Sequence, residues 1–213
     1  MDLRSYAQSG TYHDLNSFSH FGRKWMRSIR ICVLGAGAVG KSSITVRFVH
    51  GSFYENIEDS FTKLAEIDGK THRLQITDTA GVEQMMTLRE SVIRESHAFL
   101  LVFALDNPST FNDLLPIVED IKRIKDTDSI RRIPVLLCGN KVDLGFERVF
   151  PSNFQPSGVF KGVKYLETSA KLKIGIEEAF LDLAKIYMDQ RRVRRERHKQ
   201  LHRHDKRDKC VLM

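Results

Sequence analysis

Gly35-Ala36-Gly37-Ala38-Val39-Gly40-Lys41-Ser42 sets Gly35 and Gly40 around four residues and follows them at once with a lysine and a hydroxyl group. Glycines let successive backbone N–H groups turn inward around a phosphate. A helix starting there adds the positive end of its dipole, and the lysine reaches the outer phosphates. Ser42 offers its hydroxyl to Mg²⁺. The metal also needs a carboxylate at the end of a neighbouring strand. Asp78 suits that role, closing Leu74-Gln75-Ile76-Thr77-Asp78 ahead of Thr79-Ala80-Gly81 and acting through water. Gly81 has the freedom to bring a backbone N–H to a terminal phosphate and to hinge the segment after it. Together these groups are suited to capturing a metal-bound polyphosphate.

Strands and helices must hold these groups in place. From Ile29 onward, short apolar runs alternate with helical periodicity, the pattern of strand-helix-strand units around a mostly parallel sheet. The runs fall at 31–34, 74–77, 98–104 and 133–139, and the first leads directly into Gly35. Continuous apolar strands of this kind are covered by helices on both faces. Asp68-Gly69 signals a tight hairpin, so one strand pair is antiparallel. A last helix begins after Gly175, with Ile176, Phe180, Leu183, Ala184 and Tyr187 forming one apolar stripe. After Asp189 that stripe ends and arginines take over, so any continuation of the helix is expected to have no hold on the core. Pro116, inside the helical pattern of 110–125, should kink that helix or mark its late start.

The chain has 213 residues, 41% of them hydrophobic, enough for one substantial core. It has no run of 18 apolar residues and no secretory leader. Cys32, Cys138 and Cys210 lack metal-ligand spacing, so a cytosolic chain is expected. The formal charge is +7, from 34 Lys+Arg against 27 Asp+Glu. Removing the ten basic and three acidic residues of 191–209 leaves 24 of each sign, so the excess belongs to the tail. A nucleic-acid-binding domain, which spreads basic residues over a folded face, is not indicated. The expected organisation is a disordered extension at 1–28, one domain at 29–190 and a basic tail at 191–213.

Two more motifs follow. Asn140-Lys141-Val142-Asp143 ends the next buried strand, and Glu167-Thr168-Ser169-Ala170-Lys171 lies beyond it. These four motifs, in this order over 29–190, resemble the small GTPases of the Ras subfamily, with features of the Ras, Rap and Di-Ras branches. The resemblance implies an α/β P-loop NTPase G domain, a mostly parallel six-stranded sheet with helices on both faces. It implies GTP/GDP and Mg²⁺ as cofactors, slow GTP hydrolysis, and a signalling switch acting as a monomer. Partners would be an exchange factor, a GTPase-activating protein and effectors. Nucleotide contacts would come from Gly35 through Ser42 and from Ser43, Asp78, Gly81 and Lys171, with Phe53 packing against the base. The aspartate matching Asp143 accepts from two N–H groups on guanine's edge, a donor pair adenine lacks. Asn140 and Lys141 would tie the base loop to the phosphate loop and cover the ring. Backbone N–H groups around Ser169 and Ala170 would meet the guanine oxygen. Ile57, Glu58, Asp59, Ser60 and Phe61 match the effector loop.

The chain departs from the family in two places. Asn56 stands where the family has a threonine for Mg²⁺ and the γ-phosphate, in a loop about four residues shorter than the Ras pattern. Val82 stands where most relatives carry the glutamine that orients the attacking water, and an isopropyl group neither donates nor accepts a hydrogen bond. The Rap branch also lacks this glutamine and is still switched off by its own activators. Gly37 keeps the position where a side chain would obstruct an arginine finger. The alternative reading is a Ras-fold nucleotide-binding module with little hydrolysis or switching. At the end, Cys210-Val211-Leu212-Met213 is a prenylation box favouring farnesyl. One prenyl chain binds membranes only marginally, so the basic run is the second signal for the inner leaflet, at the cytoplasmic face of the plasma membrane. Changing Val82→Gln is expected to raise single-turnover GTP hydrolysis by the purified protein. Equal rates before and after would show that the shortened loop limits the chemistry instead.

Overall fold

The apolar runs become strands of one sheet in a computed structural model that describes residues 28–51, 60–79 and 86–211, with side chains for all of these but 86, 87 and 201–211. Phe53, Asn56, Ile57, Glu58, Asp59, Gly81 and Val82 lie outside the described residues, as do the expected extension before Ser28 and the side chain of Cys210. The strands are β1 (Ser28–Leu34), β2 (Ser60–Ile67), β3 (Lys70–Asp78), β4 (Ala98–Ala104), β5 (Val135–Asn140) and β6 (Lys164–Thr168), in the spatial order β2-β3-β1-β4-β5-β6. All neighbours are parallel except β2 and β3. That hairpin turns at Asp68 (φ 50°) and Gly69 (φ 69°), both left-handed, as a two-residue turn matching strand twist requires.

Every residue of β4 is buried, because the sheet has a helical layer on each side. Ala98, Leu100, Val102 and Ala104 face α1 (Lys41–His50) and α5 (Ile176–Val211). Phe99, Leu101 and Phe103 face α2 (Met86–Glu95) and α4 (Leu114–Ile124). A short α3 (Ser109–Asn112) precedes α4, with Asp113 between them. Pro116 thus sits in the first turn of α4, where its missing N–H has no intrahelical partner to lose. It marks a late start and not a kink.

The outermost elements run past residues 29 and 190. Ser28 already belongs to β1, opposite Arg73. At the other end α5 runs unbroken from Ile176 to Val211, so the boundary at 190/191 falls inside a helix. Its apolar stripe does stop, but polar side chains then take over the docking. Gln190 Nε2 donates to the Arg131 carbonyl at 3.5 Å, and Arg194 Nη2 donates to the Arg132 carbonyl at 2.8 Å. An arginine stem is long enough to reach sideways to the 3₁₀ turn Ile130–Arg132, which an apolar-face analysis does not register.

The loop from Leu144 to Val163 is fastened beneath an aromatic cluster in which Phe103 meets Phe111, Phe150 and Tyr165. Arg148 clamps it, bonding both carboxylate oxygens of Glu167 at 2.6 Å and the Pro151 carbonyl at 2.7 Å. That guanidinium holds the Glu167 carboxyl below the usual carboxylate range.

On the other face, Phe180 is fully buried and stacks on Phe48 at 4.2 Å. Phe180→Ala is expected to lower the unfolding free energy of the GDP-loaded protein by about 3–5 kcal/mol. Tyr187→Phe, which loses only a hydroxyl, should cost about 1 kcal/mol at most. Equilibrium urea unfolding checks both, and similar losses would place the weight of α5 docking elsewhere.

Candidate functional site

The carboxyl ends of the central strands open into one crevice, where the crossover from β1 goes to one face of the sheet and that from β4 to the other. Crevices at such switch points collect ligands in open α/β sheets. β1 delivers Gly35, β3 delivers Asp78 directly opposite Val33, and β5 delivers Asn140.

Close packing dictates the phosphate loop. A Cβ on Gly35 would lie 2.1 Å from the Val102 carbonyl oxygen, and one on Gly40 (φ +94°) would lie 2.4 Å from Asn140 Nδ2. Ala38 (φ 59°) is also left-handed, and such turns aim consecutive N–H groups to one side, making an anion-sized concavity. Val39 is fully buried and roots the crest, whereas Gly37 and Ala38 are exposed. Lys41 is buried, its Nζ donating to the carbonyls of Gly35 (3.0 Å) and Ala36 (2.7 Å), so the ammonium lies folded over the loop mouth. Ser42 and Ser43 occupy the first turn of α1, which holds no acidic residue to oppose an anion there.

Asp78 is buried at the end of β3, and the next residue, Thr79, is pinned by its hydroxyl to the Val33 carbonyl at 2.8 Å. Among the described residues there is no group of three or more His, Cys, Asp or Glu side chains able to hold a metal. A hydroxyl and one carboxylate suit Mg²⁺, which keeps several waters and takes phosphate oxygens for the rest of its shell. The residues therefore fit the expected ion and polyphosphate.

The base half is organised around Asn140. Its Nδ2 donates to the Val39 carbonyl at 2.8 Å, and its Oδ1 accepts from Thr168 Oγ1 at 3.2 Å and from the Ala170 N–H at 3.3 Å. Lys141 is left-handed (φ 71°) and pairs with Asp106 at 3.0 Å. Asp143 accepts from Ser169 Oγ at 2.6 Å, and that oxygen in turn accepts from the Leu172 N–H at 2.9 Å.

Some expected residues sit differently. The Ser169 N–H donates to the Ile174 carbonyl at 3.0 Å and the Ala170 N–H to Asn140 Oδ1 at 3.3 Å, while the Ser169 hydroxyl orients Asp143. Phe61 is turned into the core and offers no side chain to an effector. Strand alternation exposes Ser60, Thr62, Leu64 and Glu66 instead. Sequence reasoning missed Arg47, whose Nε and Nη2 bond the carbonyls of Ala170 (2.9 Å) and Lys171 (2.6 Å) and join the phosphate helix to the base loop. It also missed Asp106, and neither residue belongs to a motif. The thiols of Cys32 and Cys138 are pushed up by burial and are chemically silent.

Lys41→Ala and Asp143→Ala should each abolish tight guanine-nucleotide binding. Ser169→Ala should weaken it about tenfold, since Asp143 loses a charge-assisted hydrogen bond. Dissociation of a fluorescent guanosine diphosphate measures all three, and tight binding by Asp143→Ala would sink the assignment of the base site. Residues 30–189 match the protein-family model described as the Ras family.

Proposed function

Starting from the premise that the chain belongs to the Ras family, and so is a small GTPase built as a nucleotide-binding switch, we propose a lipid-anchored switch whose intrinsic GTP hydrolysis is slow. Family members bind guanine nucleotide with Mg²⁺, and they work through regulators and effectors. The observation that carries the reading to this chain is the Asn140 bridge, which ties the phosphate loop to the segment 168–170 whose Ser169 holds the Asp143 carboxylate.

Within that frame each side chain has a task. Gly35 and Gly40 admit the phosphates to the backbone, and Lys41 meets the outer ones. Asp143, held by Ser169, accepts from the donor edge of the base. Ser42 and Asp78 would hold Mg²⁺, which when bound neutralises charge on the β- and γ-phosphates. Val82 supplies no group to orient water, which supports a slow intrinsic rate and dependence on an activating protein. Cys210 carries the prenyl chain, with the basic residues of α5 as the second membrane signal at the cytoplasmic face of the plasma membrane. Asn56 and Val82 together favour a second reading, a nucleotide-binding module that does not switch.

Amide hydrogen exchange separates the two readings. A switch is expected to change protection within 52–61 and 80–95 between GDP and a non-hydrolysable GTP, and identical profiles in both states would support the module. Cys210→Ser should move the protein from the membrane to the soluble fraction of cells. Unchanged partition would remove the prenyl anchor from the proposal.

A further inference from the structure

The end of the sheet opposite the crevice holds a second concavity, of about 600 Å³. The residues just before β4 and β5, the turn after α4 and the flank of α5 enclose it. Lys125, Arg132, Arg191 and Arg194 line it, and Asp126 is the one acidic residue among its lining side chains. Of the neighbouring carboxylates, Asp128 pairs with one lining cation, Arg132, through Nη1 at 2.8 Å on the exposed side, and Asp189 pairs with Arg192 at 3.0 Å.

The cations are held in place without being used up. Lys125 Nζ is fixed by the carbonyls of Arg94 (2.9 Å) and Ser96 (2.7 Å) at the negative end of α2. Arg191 donates to Tyr187 Oη at 2.9 Å and Arg194 to the Arg132 carbonyl at 2.8 Å. Each guanidinium has five N–H donors, so most of the fork remains available. His97 forms a wall, its ring stacked on Tyr187 at 5.0 Å and its Nδ1 accepting from the Arg30 N–H at 3.1 Å, which assigns its proton to Nε2.

The positive charges around the cavity also act on one another. Burial first, then Arg30, Lys125 and Arg191, push His97 down to about 4. Lys125 is also lowered, by burial and then by Arg30. A further concavity of about 400 Å³ on the other flank of α5 is lined by Asp68, Asp189 and Glu196 as well as by cations, and so neutralises itself.

We propose that the larger basal concavity binds a compact, multiply phosphorylated anion of the inositol phosphate class, presented either as a lipid headgroup or free in solution. Arginine forks match phosphate oxygens in pairs, and cations on several walls suit a small ligand of high charge density better than an extended acidic peptide. A single phosphate would leave most of the volume unfilled. The site stands on its own geometry and requires neither the lipid on Cys210 nor turnover of nucleotide.

The test uses the full, unprenylated chain loaded with GDP. Calorimetry with inositol trisphosphate at physiological salt is expected to show binding that weakens about tenfold or more when the exposed Arg132→Glu and Arg194→Glu are combined, with an unchanged urea midpoint showing that the loss of the Arg194 bond has not undocked α5. Arg197→Glu, which lines neither concavity, should change little. Flotation with vesicles of matched charge identifies the source. Preference for phosphatidylinositol bisphosphate over phosphatidylserine assigns a headgroup, and equal partition with retained trisphosphate binding assigns a soluble ligand. The proposal is overturned by absence of trisphosphate binding, by an equal effect of Arg197→Glu, or by equal affinity for a polyglutamate peptide. Guanine-nucleotide binding measured on the same samples keeps the two readings apart, since its loss would sink the proposed function and leave this site standing.

Discussion

One buried amide holds the two halves of the nucleotide crevice together. Asn140 satisfies a carbonyl of the phosphate loop, a hydroxyl at the end of β6 and a backbone N–H of the base loop, and is itself almost fully buried. Together with Asn140 itself these groups lie on three stretches of chain, around 39, 140 and 168–170, and each would cost about 1–3 kcal/mol if left buried and unsatisfied. Gly40 is glycine because the same amide leaves no room for a Cβ. Arg47 repeats the join from the side of α1 by gripping the carbonyls of Ala170 and Lys171. Phosphate recognition and base recognition are therefore one rigid unit, set on strand ends that the buried sheet keeps in register.

The charge distribution follows a similar division. Residues 1–190 are formally neutral, yet that balance conceals segregation. Arg30, Lys125 and Arg132 gather near the amino ends of the parallel strands, where α5 adds Arg191 and Arg194. The basic tail is thus not a separate appendage from residue 191. Its first turns are built into the domain by hydrogen bonds to the 3₁₀ turn. One end of the sheet is shaped for a nucleotide and the other presents a positive surface.

Legibility from sequence varied with how local the cause was. The hairpin at Asp68-Gly69, the late start marked by Pro116 and the buried stripe of α5 each follow from steric limits or periodicity within a few residues. The phosphate loop was legible for the same reason, since its glycines answer to a local backbone requirement. That the Phe61 side chain is buried while those of Ser60 and Thr62 are exposed is not visible in the motif, because a strand sends alternate side chains to opposite faces. Arg47, Asp106 and Arg148 were invisible because their partners lie 123, 35 and 19 residues away.

The residue types and their spacing determined the elements, the phosphate loop and the guanine-type carboxylate, because those signals are written in consecutive residues. Tertiary structure alone decided that the Ser169 hydroxyl holds the Asp143 carboxylate. It alone decided that α5 stays docked past its apolar stripe, and that scattered cations of no motif converge on one concavity. Such choices depend on which groups meet across the sheet, and burial enforces them only once the chain has closed on itself.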